Sequence, residues 1–474
     1  MKINTIKIFS TAVILFFSNL GYSQNAFNLK ITVKGVPKDS LCRLANYYGD
    51  KQYLKDSALA DAKGTVVFKA KEKLPGGIYL FVLPNKKYFE FIIDKEQNFS
   101  LETDTADLVK HMKVTGSRDN ELFFNYIKFI NEKSAAIEPL RAEYDKNKDN
   151  KEEREKAQKK IEEINKEVVG MKLKFMEDNP DAFMTKVFKT SKDVEMPDPP
   201  MKNPDGSIDS VGQFRYYKAH FFDNLDLTDE RMLRTPVLFP KIEQYVKKLT
   251  VQMPDSINEA ADYLVKLSRP SPEVFKFIVW WITNQYETST IMGMDAVFVH
   301  MAENYYTKDQ AYWADSTTLY KIADRAKTLK PILIGKKVRN LVLLDTAGTY
   351  QALYNIKKPF TVLIFWDPDC GHCQKEMPKL KELYDKVKSK GVEVYAVDNE
   401  VEEDKWKKFI REHNLNWINV ADLKLQNNFR HEYDLISTPQ IFLLDENKTI
   451  VAKRIDVATL GDVLQRKLDE LAKH

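Results

Sequence analysis

Residues 370–373 read Cys-Gly-His-Cys, and two thiols three positions apart can do one of a few things. They can close a small disulfide ring, supply half of a four-ligand zinc site, or work as a thiol-disulfide exchange pair. The flanks help to choose. Residues 360–366 form a continuous apolar run rich in β-branched and aromatic side chains, bounded by Pro359 and by Asp367-Pro368, as expected of a buried strand in a largely parallel sheet. After Cys373, residues 375–383 have amphipathic helical spacing. A strand-to-helix junction places Cys370 at a helix N-terminus, where unpaired amides and the macrodipole favour a thiolate, the nucleophilic form. A zinc site would need a second pair of ligands, and Cys42 with seven scattered histidines offers none at recognisable spacing. Neither metal nor cofactor is therefore expected.

Around the pair, Glu376 lies three residues beyond Cys373 on the same helical face, within reach of tuning or relaying the proton of that thiol. Pro378 is expected to kink the helix. Asp369 should raise the Cys370 pKa by like-charge repulsion, whereas a donating His372 should lower it.

Residues 329–474 resemble the extracytoplasmic TlpA/ResA type of thioredoxin-like protein disulfide reductase. Trp366 stands four residues before Cys370, Glu376 and Pro378 follow the pair as in that family's Cys-x-x-Cys-x-x-Glu-x-Pro signature, and residues 436–444 match the turn and strand carrying its cis-proline, here Pro439. The helix insertion of the group falls at about 402–413. The resemblance implies an α/β thioredoxin-like fold in which Cys370 attacks a disulfide and Cys373 resolves the mixed disulfide, so that the two form a redox-active disulfide. Glu376 completes the implied catalytic set, and Trp366, His372, Thr438 and Pro439 the client-binding set. Two departures leave the direction of exchange open. Gly371-His372 resembles the active-site dipeptide of protein disulfide isomerase, which favours an oxidising couple, and Asp369 pulls the opposite way; Ile364 also stands where cytoplasmic thioredoxins keep a buried acid, so that proton-relay role is either lost or moved to Glu376.

The rest of the chain must position this pair, and it falls into zones. Residues 1–23 carry Lys2 and Lys7, an apolar run centred on residues 12–17, and small residues Gly21 and Ser23, the pattern of a cleavable secretory signal; an uncleaved anchor is the alternative. Residues 24–117 show short alternating runs at 29–33, 65–68 and 88–93 between turn signals, which predicts an all-β antiparallel sandwich. Residues 118–328 are rich in Glu, Lys, Leu and Ile and poor in glycine, which predicts an all-α domain. Its charge-dense stretch 142–174 reads as one long exposed helix. A Pro/Gly-rich loop follows at 196–206, with helices near 239–249, 257–267, 273–285 and 295–306. Asp56-Ser57, residues 64–68 and 114–117 in the first zone, and residues 219–224 with Trp280-Trp281 in the second, resemble uncharacterised domains of Gram-negative envelope proteins. Cys42 reads as a small core hydrophobe and the lone His220 and His300 as satisfied core residues.

With 474 residues, 43% hydrophobic, the chain can build several packed cores, which excludes global disorder and a disulfide-stapled miniature fold. The net charge of +4, or +2 without Lys2 and Lys7, argues against a general nucleic-acid binder. These readings converge on a periplasmic or envelope thiol-disulfide oxidoreductase. Its partners would be protein or peptide disulfide and thiol clients and a membrane or periplasmic redox partner that resets the pair, with membrane association only if the leader is retained. The competing expectation is a binding or scaffold protein with a vestigial thioredoxin fold.

Overall fold

The computed structural model describes residues 26–473, so the leader-like segment lies outside the described residues. The chain divides into two compact units. One holds the residues up to Lys192 together with Arg231–Val237, and the other holds Asp193–Glu230 and the chain from Leu238 onward.

In the first unit, β1 (Phe27–Lys34), β2 (Leu41–Tyr48), β3 (Lys51–Leu59), β4 (Thr65–Ala70), β5 (Gly77–Val82), β6 (Tyr88–Ile93), β7 (Asn98–Asp104) and β8 (Lys113–Thr115) form two four-stranded sheets, ordered β4-β1-β7-β8 and β3-β2-β5-β6. Period-two alternation sends Phe27, Leu29, Ile31 and Val33 of β1 inward, and Cys42 of β2 is fully buried, as core filling requires. The sandwich is not wholly antiparallel: β4 pairs with β1 antiparallel on one side, and β7 pairs with it in parallel on the other. Helices α1 (Arg118–Lys146), α2 (Lys151–Asp178) and α3 (Phe183–Thr190) complete the unit. The single helix expected over 142–174 is thus corrected to the end of one helix and most of another. Asn147 closes α1 by donating its backbone and side-chain amides to the Glu143 carbonyl, and Asn150 caps α2 by accepting from the Glu153 amide. Nor is α2 exposed all round, since Ala157, Ile161 and Phe175 are buried.

The second unit begins with α4 (Ser210–Ala219), α5 (Leu238–Lys247), α6 (Pro254–Ser268), α7 (Pro272–Glu287), α8 (Asp295–Tyr305) and α9 (Ser316–Leu329). Helices α6 and α7 open on proline, and Ser271 and Asp315 cap α7 and α9 through their side chains. Trp281 is buried, whereas Trp280 is 38% exposed. The two lone histidines are satisfied but not in the core. His220 pairs with Asp223 at 2.6 Å and His300 with Asp262 at 2.7 Å, and a carboxylate partner lets each imidazole remain at the surface.

The chemistry-bearing half of this unit contains β9 (Val342–Asp345), β10 (Tyr350–Ala352), β11 (Phe360–Trp366), α10 (Gly371–Val387), β12 (Val392–Asp398), α11 (Glu403–Glu412), β13 (Ile418–Ala421), α12 (Phe429–Glu432), β14 (Gln440–Leu444), β15 (Ile450–Lys453) and α13 (Val457–Leu471). The seven strands form one sheet in the order β10-β9-β13-β12-β11-β14-β15. Only β11–β12 and β12–β13 pair in parallel, so the sheet is mixed and not largely parallel. The continuous apolar run of β11 has a different cause: all seven of its residues are buried because helices cover both faces of the sheet. Phe360, Val362, Ile364 and Trp366 face the layer of α10, α11 and α13. Leu363 and Phe365 face a second layer that includes Phe298 and Ala302 of α8 and Ala326 and Leu329 of α9.

Candidate active site

Strand β11 ends at Trp366, and the chain turns through Asp367-Pro368-Asp369 into α10. The Asp369 amide donates to Asp367 Oδ1 at 2.7 Å and the Cys370 amide to the Asp367 carbonyl at 3.2 Å, which fixes the entry to the helix. Cys370 is the N-cap residue, with extended backbone (φ −76°, ψ 117°), and its carbonyl accepts from the Gln374 amide at 3.0 Å. Both cysteines are free thiols. Cys370 is partly exposed, and Cys373 is completely buried in the layer containing Trp366, Met377 and Trp406.

Their acidities diverge for physical reasons. Partial burial pushes the Cys370 thiol up, but hydrogen bonding from Thr438 and from the Cys373 and His372 amides outweighs it and holds Cys370 below the usual thiol range. Burial pushes Cys373 the other way, up to about 12. In its protonated form Cys370 Sγ donates to the Thr438 carbonyl at 3.3 Å, and the Thr438–Pro439 peptide bond is cis.

Beside the pair opens a cleft of about 640 Å³, lined by His372, Glu376, Ile436, Thr438, Pro439 and Arg454 among others. Ile436 is 71% exposed at its edge. The structure thereby brings together most of the residues singled out by sequence. Glu376 reaches the cleft, with Oε1 accepting from Lys379 Nζ at 2.7 Å and Oε2 from the Val457 amide at 3.3 Å. Pro378 lies inside α10.

Two expectations are corrected. Trp366, assigned to the client-binding set, has no exposed surface: as the last residue of a central strand it points into the core and packs against Phe409 at 5.1 Å between ring centroids. It supports the site from beneath. Asp369 does not dominate the Cys370 thiol, because Lys405 of α11 pairs with its carboxylate at 2.7 Å and offsets the repulsion. Sequence reading also missed residues. Arg454 lines the cleft and is held by Asp434, which also pairs with Arg325 of α9. Asp398 is fully buried at the end of β12. Its signal was available, since it continues the inward period of Val392, Val394 and Ala396, but an acid closing a strand reads as a strand end.

Against known proteins, residues 334–453 match the AhpC/TSA family model, residues 27–123 a domain of unknown function (DUF4369) and residues 146–329 another (DUF5106). The thiol-disulfide oxidoreductase ResA of Bacillus cereus is 34% identical over 144 residues, which are 30% of this chain and 80% of that protein. The chain belongs to the ResA family of thiol-disulfide oxidoreductases. ResA of Bacillus thuringiensis is 31% identical over 140 residues, 30% of this chain and 77% of that one. Among solved structures, a domain of a possible thiol-disulfide isomerase from Cytophaga hutchinsonii is 43% identical, covers 30% of this chain and 97% of its own, and has a TM-score of 0.28. A thioredoxin-like protein from Bacteroides caccae is 19% identical, covers 58% and 98%, and has a TM-score of 0.45. This member of the ResA family is an oxidoreductase acting on protein thiols that joins the family's thioredoxin-like fold to an N-terminal β-sandwich and a central helical region.

Proposed function

We propose that the protein exchanges disulfides with protein clients in the cell envelope through Cys370 and Cys373. The asymmetry of the pair supports this reading most: one thiol is held in reactive form at a helix N-terminus beside a cleft, and its partner is kept protonated out of solvent. Cys370 attacks the client disulfide and Cys373 resolves the mixed disulfide, releasing the client thiol and closing a Cys370–Cys373 disulfide. The Thr438 carbonyl and Pro439 meet an extended client segment beside the sulfur, and His372 borders it. Both Glu376 oxygens are engaged, so Glu376 tunes the charge of the cleft instead of carrying a proton. A second thiol-disulfide partner in the same compartment resets the pair. The envelope assignment draws on the leader-like pattern of residues 1–23; among the described residues no helix is long and apolar enough to cross a membrane. Domain limits of 24–117, 118–328 and 329–474 remain our proposal for the mature chain.

The test is insulin disulfide reduction with excess dithiol, comparing the wild type with Cys370→Ser. The variant is expected to fall to the uncatalysed rate. Equal turnover by the two proteins would remove the basis for the reading.

A further inference from the structure

The cleft beside Cys370 is lined by the charged residues Glu376, Asp456 and Arg454, and they are not equally satisfied. Glu376 Oε1 accepts from Lys379 Nζ at 2.7 Å and its Oε2 from the Val457 amide at 3.3 Å. Asp456 caps α13, with Oδ1 accepting from the Thr459 amide at 2.7 Å, at a helix end that favours a negative charge. Both carboxylates are thus answered from within the chain.

Arg454 is not. It follows β15, its amide donates to the Ile441 carbonyl at 2.8 Å, and its backbone is left-handed (φ 54°), a conformation that a residue with a Cβ keeps only where its surroundings hold it. Asp434, likewise left-handed (φ 51°), pairs through Oδ2 with Arg454 Nη2. The other oxygen, Oδ1, pairs with Nη1 of Arg325 from α9, so one carboxylate is shared by two guanidiniums and a unit of positive charge is left over. The Asp434 side chain is 8% exposed, whereas that of Arg454 is 32% exposed and belongs to the cleft, which Arg325 does not line. Nη2 is the one Arg454 side-chain nitrogen with a hydrogen-bond partner among the described residues, so Nε and Nη1 keep their donors for another acceptor. As a structural tie Arg454 would contribute little, because a part-exposed pair is weak and Arg325 already holds Asp434. A guanidinium fork with open donors suits a carboxylate, which can accept two parallel bonds.

We infer that Arg454 is the subsite for an acidic side chain of the client, so that the protein prefers disulfides whose cysteine has a glutamate or aspartate nearby, an inference that rests on the exchange reading above. The spacing follows from β14. Cys370 Sγ meets the Thr438 carbonyl, and from Thr438 to Ile441, beside which Arg454 stands, is three residues or about 10 Å of extended chain. An extended client lying beside the sulfur therefore presents its acid to Arg454 from about three residues away from its cysteine.

The test uses the full chain, reduced, with short peptides whose single cysteine is activated as a nitrothiobenzoate disulfide. The Cys370 thiolate attacks the peptide sulfur, the bond between the two sulfurs forms, and nitrothiobenzoate leaves with the electron pair and is followed by its absorbance. Glu, Gln or Lys stands at one site, moved from two to four residues on either side of the cysteine. Each rate is divided by that of the same peptide with 2-mercaptoethanol, which removes the effect of the charge on the peptide disulfide itself. At one of these sites the Glu peptide is expected to react about fivefold faster than the Gln peptide and the Lys peptide more slowly than either, and the difference should fade in molar salt. Arg454→Gln should bring Glu and Gln to parity, and Arg454→Lys should keep part of the preference. Equal normalised rates for the three peptides at every site in the wild type overturn the inference, as does a preference for Glu that survives Arg454→Gln. The wild-type comparison needs no variant, so the inference can fail even where a substituted chain does not fold. A wild type that reacts with none of the peptides overturns the exchange reading instead, which keeps the two failures distinguishable.

Discussion

Cys370 and Cys373 share one residue type and one helical turn, yet one is poised to ionise and the other is not. The difference comes from what each sulfur meets: amides and Thr438 for Cys370, and an apolar layer for Cys373. Asp369 tests how finely this is set. Its carboxylate precedes the attacking thiol and is paired with Lys405, which Glu402 also contacts at 3.1 Å. Lys405→Met leaves Asp369 negative and unpaired, and a negative neighbour disfavours the thiolate. The pH midpoint of Cys370 alkylation by iodoacetamide should therefore rise. The pair is solvent-exposed, so the rise should be about half a pH unit or less and should vanish in molar salt. An unchanged midpoint at low salt would show that Lys405 has no influence on Cys370.

Among the elements, α11 reaches the site from both of its sides. It supplies Lys405 from its exposed side, and from its buried side Trp406 and Phe409, the latter against Trp366. Phe409→Ala leaves a cavity under the last residue before the active-site turn and should cost about 3 kcal/mol by denaturant unfolding with an unchanged slope. A loss below about 1 kcal/mol would mean that Trp366 is held by other contacts. Strand β11 and the Cys-x-x-Cys junction were legible from local period and punctuating residues, whereas the helix itself and the Pro439 turn were legible only through the family resemblance. The break between α1 and α2 was not, since residues 147–150 contain neither glycine nor proline and the chain is stopped by two asparagine caps. Asp398 was hidden for a different reason. Whether an acid at a strand end is wet or buried depends on what covers it, and that cover is placed by tertiary packing. The pairing of Asp369 with Lys405 spans 36 positions and was equally invisible to local pattern.

At the scale of the whole chain, the composition shift near residue 330 suggests that the thioredoxin-like part is self-sufficient, but its sheet is covered on one face by helices from the preceding zone. Phe298, Val299 and Ala302 of α8 and Ala326 and Leu329 of α9 pack with Leu363, Phe365, Phe442 and Leu444. Asp295, in the first turn of α8, pairs with Lys453, whose side chain is 1% exposed and whose ammonium also donates to the Ile332 carbonyl at 2.7 Å. A fragment of residues 334–474 removes this cover together with both Lys453 partners, whereas residues 293–474 retain them. Uncovering even two large side chains costs about 3 kcal/mol. The shorter fragment should accordingly unfold at lower denaturant and bind a hydrophobic dye that the longer one excludes. Cys370 opens α10 on the opposite face, so its alkylation by iodoacetamide should proceed in both fragments at similar rates wherever both are folded. Equal stability and no dye binding would show that α8 and α9 rest on the sheet without supporting it. A stability loss with the alkylation rate intact would assign them to holding the scaffold while the chemistry stays with the other layer.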